Sequence, residues 1–266
     1  MNNYVIIKNP LTKKEVIIND KNKIISQWWD KIYPIGLILD SRPYYIVKNN
    51  NKEAIFSIDN KKDPISNWYI KISINGLIRG VSDYYIAKRD DSKEAIFHKD
   101  NKIEPISDWF NKIYDNGLVE GLSDYYIVKE ENNKEAIFSI NDKNIPLSDW
   151  HYKIDKFGLV SNQSNYYIVC NKNKSAIFHK TDKKKPITKW WKVIYYTGLI
   201  FGESKDYYVV KRSNDKEAIF YRNNEIEPIS DWYNMIDVKS LSDSNFKSYY
   251  AKYSNKSDWV NNILTK

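Results

Sequence analysis

The stretch EPISDWFNKIYDNGLVEGLSDYYIV (residues 104–128) recurs with few changes as PISNWYIKISINGLIRGVSDYYIA at residues 64–87. When the chain is aligned on the segment YYIVK, it contains six near-complete copies, and a shortened seventh begins at Tyr249. Trp259 marks the seventh copy, 27 residues after the sixth marker tryptophan. A period near 41 residues is typical of a solenoid, a propeller or a similar array. The six marker tryptophans, 40 to 42 residues apart, are Trp28, Trp68, Trp109, Trp150, Trp190 and Trp232.

The repeats predict one mainly β domain over residues 1–266, with residues 249–266 as a C-terminal cap. The end copies differ most from the others, because the first has KEVII in place of KEAIF and the seventh has no such segment. Atypical end copies favour an open, solenoid-like array, and a closed propeller-like ring of six or seven units is the alternative. The six full copies cover residues 3–43, 44–83, 84–124, 125–165, 166–206 and 207–248.

Each copy contains a predicted β-hairpin. The segment YYIVK (125–129) is rich in β-branched and aromatic residues, and both of its alternating faces are apolar. We therefore expect a strand that is covered on both sides. A polar turn, EENN (130–133), leads to a second strand, KEAIF (134–138). The turn that follows the hairpin is rich in Asp, Asn and Lys, as in HKDNK (98–102), and Asn suits such turns.

A short helix is predicted after each hairpin. The apolar residues of ISDWFNKI (106–113) fall at positions 0, 3, 4 and 7, which is helical spacing. Ser107 is placed to cap the start of this helix, and Gly117 is placed to end it. The segment GLVEG (117–121) then leads into the next hairpin as a candidate third strand. The four apolar residues are Ile106, Trp109, Phe110 and Ile113.

The order of these features resembles the WG-repeat (KWG-repeat) family of bacterial β-repeat proteins. That family has a strand, a turn, an Ile-Pro pair, an aromatic stretch and then Gly-Leu, and the resemblance covers about residues 3–247. The eponymous Trp-Gly pair is replaced by Glu-Ala, and Asn101 replaces the turn glycine. The resemblance implies a β-repeat scaffold without a common activity, and it carries over no functional residues. The matching segments are KEAIF (93–97), HKDNK (98–102), PIS (105–107), WF (109–110) and GLVEG (117–121).

The positive charge lies at the two ends of the chain. The net charge is +8, but residues 1–82 carry +6, residues 83–164 carry −5 and residues 165–266 carry +7. A protein that follows a nucleic acid along its whole length needs a continuous basic surface, so this distribution disfavours that function.

The sequence disfavours an enzyme. The three histidines, His98, His151 and His179, occupy repeat slots that hold Ser, Tyr, Trp or Phe in other copies. No catalytic, phosphate-binding or metal-binding motif is present, so we expect no catalytic residue, no metal and no small-molecule cofactor. Carboxylates that recur once per copy are more typical of a role in building the repeat. These are Glu53, Glu94, Glu135 and Glu217.

Composition and the absence of sorting signals predict a cytoplasmic protein with no membrane partner. The single cysteine, Cys170, excludes an internal disulfide framework and suits a reducing compartment. The chain has no apolar run of about 18 residues and no leader-like start.

Two aromatic positions in each copy have different predicted roles. The marker position is always Trp, as a packing role requires, so we expect the marker tryptophans in the core. The next position is always a ring of varying type, which predicts a partly exposed rim and a candidate binding row. We accordingly expect Trp109→Ala to cost more stability than Phe110→Ala. The predicted binding row is Trp29, Tyr69, Phe110, His151, Trp191 and Tyr233.

The predicted function is a non-catalytic scaffold that binds another protein, since stacked repeats create long surfaces. One alternative is nucleic-acid binding through the basic ends, where charge adjoins stacking rings. A second alternative is a glycan-binding lectin that uses the aromatic rim. The basic candidates for nucleic-acid binding are Lys183, Lys184, Lys185, Lys189 and Lys192.

Overall fold

The chain forms small antiparallel β-sheets, so the mainly β prediction is confirmed. The computed structural model describes residues 4–203, 206–241, 248–253 and 260–263. Two compact units divide the chain, one of residues 1–130 with 140–144 and the other of residues 131–139 with 145–266. No helix in the described part of the chain is long and apolar enough to cross a lipid bilayer.

The first unit contains the first ten strands. A two-stranded sheet pairs β1 (Tyr4–Lys8) with β2 (Glu15–Asn19). Two three-stranded sheets follow, and the last two strands of this unit pair with each other. These strands are β3 (Lys31–Ile32), β4 (Tyr44–Asn49) and β5 (Lys52–Ser57), then β6 (Lys71–Ile72), β7 (Tyr84–Lys88) and β8 (Glu94–His98), then β9 (Lys112–Ile113) and β10 (Tyr125–Lys129).

The second unit begins with β11 (Glu135–Ser139) and continues with three-stranded sheets. A 3-10 turn, η1 (Val238–Leu241), precedes its last hairpin. The strands of these sheets are β12 (Lys153–Ile154), β13 (Tyr166–Asn171) and β14 (Lys174–His179), then β15 (Val193–Ile194), β16 (Tyr207–Lys211) and β17 (Glu217–Tyr221), then β18 (Met235–Ile236), β19 (Ser248–Lys252) and β20 (Val260–Ile263).

The predicted hairpins are confirmed, as the pairing of β7 with β8 illustrates. Tyr85 lies opposite Phe97, Ile86 opposite Ile96, and the next pair is alanine on both strands. Residues from both faces of β7 are buried, including Tyr85 and Ile86. Both faces therefore contribute to the core, as the apolar character of YYIVK predicts.

The third strand of each three-stranded sheet is a dipeptide that ends in isoleucine, such as Lys71–Ile72, so the prediction of a third strand at 117–121 is wrong. The Gly-Leu pair instead lies in a turn whose backbone is hydrogen-bonded to the middle strand. Leu77 N donates to Tyr84 O at 2.8 Å, and Gly76 has φ +69°. A Cβ on Gly76 would lie 2.3 Å from the same Tyr84 oxygen, so only glycine fits there.

The helix predicted over residues 106–113 is also wrong, because this segment runs alongside β8. Ile106 N donates to Ile96 O at 2.9 Å, and Phe110 exchanges two backbone hydrogen bonds with Glu94. The chain bends between these contacts and then enters the next sheet at Lys112. This bend and the change of sheet produce an apolar spacing that resembles a helix. The described residues contain no α-helix.

Ser107 joins its segment to the strand and does not cap a helix. Its hydroxyl accepts a hydrogen bond from Ile96 N and donates one to Asp108 O, both at 2.9 Å. The side chain is buried. The hydroxyl therefore takes the place of a strand carbonyl where the chain bends. The hydroxyls that accept from the equivalent strand amide in other copies belong to Ser26, Ser66, Ser148, Thr188 and Ser230.

A glutamate, buried in four cases and half-buried at Glu15, links each of five sheets to the following one. Glu53, at the start of its strand, accepts a hydrogen bond from Ile72 N in the next sheet at 2.8 Å, and from Tyr33 Oη at 2.6 Å. Glu94 is bound in the same way by Ile113 N at 2.9 Å, with Lys112 Nζ at 3.2 Å. This arrangement explains why one carboxylate recurs per copy. The other three pairs are Glu15 with Ile32 N, Glu135 with Ile154 N and Glu217 with Ile236 N.

The fifth copy departs from this arrangement. Ser175 occupies the glutamate position, and Cys170 occupies the position of the lysine that faces it across the hairpin. The Cys170 sulfur lies 3.4 Å from the Ser175 hydroxyl oxygen. A serine side chain is too short to carry its oxygen to the neighbouring sheet.

The seventh copy has a second strand that the sequence analysis missed. β19 pairs with β20 in antiparallel register, with Ala251 opposite Val260. The segment that replaces KEAIF therefore follows the seventh marker in the chain. Trp259 itself lies outside the described residues.

The Ser107 contacts predict the effect of two substitutions. Ser107→Ala should lower the free energy of unfolding by about 1–3 kcal/mol, because the buried Ile96 N loses its acceptor. Ser107→Asp should cost at least as much, since it buries a charge, although aspartate is a good helix cap. Urea unfolding followed by circular dichroism measures both.

The matched control is Ser107→Thr, because Thr188 makes the same contact in the fifth copy at 3.0 Å. It should retain most of the stability. If aspartate were tolerated as well as threonine, the hydroxyl would not be acting as a buried acceptor.

Candidate functional site

The predicted binding row lies on backbone that is paired with the second strand of each hairpin. Tyr69 N donates to Glu53 O at 2.9 Å, and Glu53 N donates to Tyr69 O at 2.7 Å. The same antiparallel backbone pairing recurs at the other five positions of the row. Because the segment is extended, the marker tryptophan and the ring after it point to opposite sides.

Three rings of this row are buried, so the predicted partial exposure is wrong for these three. Trp29, Phe110 and Tyr233 expose 7%, 9% and 2% of their surface. The remaining three, Tyr69, His151 and Trp191, are half-buried.

The burial comes from packing against the next copy. The Trp29 ring lies 5.0 Å from the Phe56 ring and 5.7 Å from the Trp68 ring, measured between centroids. In the second unit, Trp191 lies 5.1 Å from Phe220 and 5.9 Å from Trp232 in the same way. Four rings of the row therefore fill the space beside the phenylalanine of the following hairpin, namely Trp29, Tyr69, His151 and Trp191.

The marker tryptophans are partly exposed, so their predicted place in the core is wrong. Trp28 and Trp190 expose 39% and 36% of their surface, which makes them exposed. The other four, Trp68, Trp109, Trp150 and Trp232, are half-buried. One edge of the marker ring packs on the phenylalanine of its own copy, as Trp68 does on Phe56 at 6.3 Å.

Arginine side chains cover two of the marker rings. The Arg89 guanidinium lies 4.5 Å from the centroid of Trp109, and that of Arg212 lies 4.1 Å from the centroid of Trp232. Both arginines are in hairpin turns. Such cation–π contacts contribute about 0.5–1 kcal/mol at exposed sites.

Two lysines of the predicted basic cluster bind other groups of the protein, and three are exposed. Lys183 Nζ donates to Pro146 O at 3.3 Å, and Lys192 Nζ pairs with Asp215 at 2.7 Å. Lys184, Lys185 and Lys189 are exposed. Lys183 therefore acts within the fold, as do Lys61 and Lys102 at the same repeat position, which bind backbone carbonyls.

The histidines have separate partners. His98 lies 3.5 Å from Asp100, and His179 Nδ1 lies 2.7 Å from the Thr181 hydroxyl. His151 is part of the buried row, and its burial lowers the pKa of its imidazole. In the described residues no three His, Cys, Asp or Glu side chains gather as metal ligands would.

Comparison with known proteins gives only distant structural similarity. No protein-family model matches the chain, and no curated protein matches it. A structure of Kluyveromyces lactis Hsv2 with a complete loop 6CD aligns over 99% of this chain and 82% of its own, with a TM-score of 0.36 and 10% identity. Kluyveromyces marxianus Hsv2 aligns over 82% and 75%, with a TM-score of 0.35 and 13% identity. Similarity at this level assigns neither a fold family nor a function.

The packing reverses the expected order of stability losses at the two aromatic positions. Trp29→Ala should lower the free energy of unfolding by about 3–5 kcal/mol, because it removes a buried ring from beside Phe56 and Trp68. Trp28→Ala removes an exposed ring and should cost clearly less. Guanidinium chloride unfolding of both variants measures the difference. A larger loss at Trp28 than at Trp29 would contradict the observed burial.

Buried tyrosines predict a loss of stability at alkaline pH. Burial raises the pKa of Tyr45 to about 12, and burial beside Glu53 raises the pKa of Tyr33 to about 12, from an ordinary value of 10.0. Below pH 10 both groups are protonated in the folded and unfolded states, so their contribution is fully present. Above pH 10 the unfolded state ionises first, and stability falls until the pH passes about 12.

The alkaline dependence can be assigned by substitution. Tyr45→Phe should make the fall in unfolding free energy above pH 10 shallower by about 1.4 kcal/mol per pH unit. Chemical denaturation at several pH values between 8 and 11.5 measures the slope. Tyr152→Phe changes an exposed ring and is the control. An unchanged slope for Tyr45→Phe would show that Tyr45 ionises equally easily in both states.

Proposed function

We propose that the chain is a non-catalytic repeat scaffold that binds another protein through its marker tryptophans. The observation that supports this proposal is the repetition of a partly exposed tryptophan at one position in each of six copies, with Trp28 and Trp190 the most exposed. Tryptophan and arginine are the residues most enriched among those that dominate protein–protein binding energy.

The packing of these rings against the protein also supports the proposal. Trp68 and Trp190 each pack one edge on a buried phenylalanine, Phe56 and Phe178. A ring held in this way loses little conformational entropy when a partner covers its free face. The sequence prediction of a cytoplasmic location is part of this proposal. The glycan-binding alternative used the other row, in which Trp29, Phe110 and Tyr233 are buried.

One alternative function has an observation in its favour. Lys184, Lys185 and Lys189 are exposed, and the exposed ring of Trp190 follows Lys189 directly. Positive charge beside a stacking ring is how proteins bind single-stranded nucleic acid without sequence preference. This alternative predicts binding that weakens steeply with salt.

A comparative pull-down separates the two functions. Three tagged proteins are each incubated with lysate of the source cells, with and without nuclease. They are the full chain, the double variant Trp28→Ser with Trp190→Ser, and the double variant Lys184→Ser with Lys185→Ser. Mass spectrometry then identifies the captured proteins. We expect the wild type and the lysine variant to capture a defined partner protein that the tryptophan variant does not capture. All three proteins should have the same stability to unfolding.

Two results would contradict the scaffold proposal. One is a set of captured proteins that the tryptophan variant retains in full. The other is capture that nuclease abolishes and the lysine variant lacks, which would favour nucleic-acid binding.

A further inference from the structure

A cavity of about 650 Å³ lies in the first unit beside the edge strand β6. Its wall combines apolar side chains, including Ile35, Ile74 and Ile86, with charged groups. Its size falls within the usual range of about 300–1,000 Å³ for small-molecule sites, which combine an apolar lining with a few placed polar groups.

Two lysines of this cavity face each other across paired strands. Lys71 in β6 lies directly opposite Lys88 in β7, and both line the cavity. The Cβ atoms of such a pair are about 4.5–5.5 Å apart, and like charges at this distance destabilise a sheet. No other described group forms a hydrogen bond or an ion pair with either ammonium. Lys88 also lies opposite Glu94 in β8, so one carboxylate adjoins this pair of lysines.

The carboxylates of the cavity are already bound. Asp115 accepts hydrogen bonds from Ser73 Oγ at 3.1 Å and from Asn75 Nδ2 at 2.7 Å. Glu94 accepts from Ile113 N at 2.9 Å and pairs with Lys112 at 3.2 Å. Both acids are held in place by these partners, and the three lysines that line the cavity, Lys71, Lys88 and Lys112, leave it with a net positive charge.

We propose that this cavity binds a small organic phosphate monoester, with the phosphate between Lys71 and Lys88 and the organic group against the isoleucines. A dianion matches two adjacent ammonium groups, and charge-assisted hydrogen bonds are the strongest that these side chains form. The apolar wall selects for a ligand with a hydrophobic group over inorganic phosphate. The site is separate from the marker tryptophans, so it does not depend on the proposed protein binding.

The preceding sheet supplies a matched control. Lys48 occupies the same position in β4 that Lys88 occupies in β7, and it also faces a lysine, Lys31, across the strands. Neither Lys48 nor Lys31 lines the cavity. Any general effect of removing one charge from a lysine pair therefore appears in Lys48→Met as well.

The test uses phenyl phosphate as the probe, with inorganic phosphate for comparison. Isothermal titration calorimetry on the full chain should give one saturable site that prefers phenyl phosphate. Lys71→Met and Lys88→Met should each weaken its affinity at least tenfold, because each removes a hydrogen bond between charged groups. Lys48→Met should bind as the wild type does.

Thermal unfolding gives a second readout that distinguishes ligand binding from folding. Without phosphate, Lys71→Met should melt at the same or a higher temperature than the wild type, because the like-charge contact is relieved. Phenyl phosphate should raise the melting temperature of the wild type and Lys48→Met but not that of Lys71→Met. The proposal is overturned by an absence of saturable binding up to about 10 mM probe, or by equal weakening in Lys48→Met and Lys71→Met.

Discussion

The structure depends on a carboxylate that is buried at the boundary between neighbouring sheets. In five copies the glutamate that begins the second hairpin strand accepts the amide hydrogen of an isoleucine in the next sheet, as Glu53 does from Ile72 N. Burying a charge is costly unless hydrogen bonds compensate for it, and here a backbone amide and a tyrosine or lysine side chain do so. Each of these five sheets therefore supplies an acceptor to its successor. The aromatic packing follows the same direction, since Trp29 fills the space beside Phe56 of the next copy.

The sequence was sufficient to predict features set by local composition and by repetition. The period located the copies, and the two-sided apolar character of YYIVK predicted a hairpin with both faces buried, as Tyr85 and Ile86 show. The recurrence of Glu94 and its equivalents predicted a role in construction, and the hydrogen bond to Ile113 N is that role. The open stacking of the copies and the resemblance to WG-repeat proteins stay predictions.

The features that failed depend on residues far apart in the chain. Helical spacing over 106–113 also fits an extended segment that bends at Ser107, and only the hydrogen bond to Ile96 N distinguishes the two. Which of two adjacent rings is buried is decided by the next phenylalanine, 27 residues beyond Trp29 in the case of Phe56. The sequence likewise did not predict that Lys71 and Lys88 face each other in the cavity. The Lys-Ile dipeptide was not recognised as a strand, and its register with β7 was unknown.

Because Ser175 replaces the glutamate in the fifth copy, the coupling between neighbouring sheets is not the same throughout the second unit. In an array of repeats, cooperativity depends on the coupling between nearest neighbours, and a junction with weaker coupling opens more easily than the others. The junction between the sheet of β14 and that of β15 has a hydroxyl where the others have a carboxylate. Subglobal opening of the chain should therefore begin at this junction.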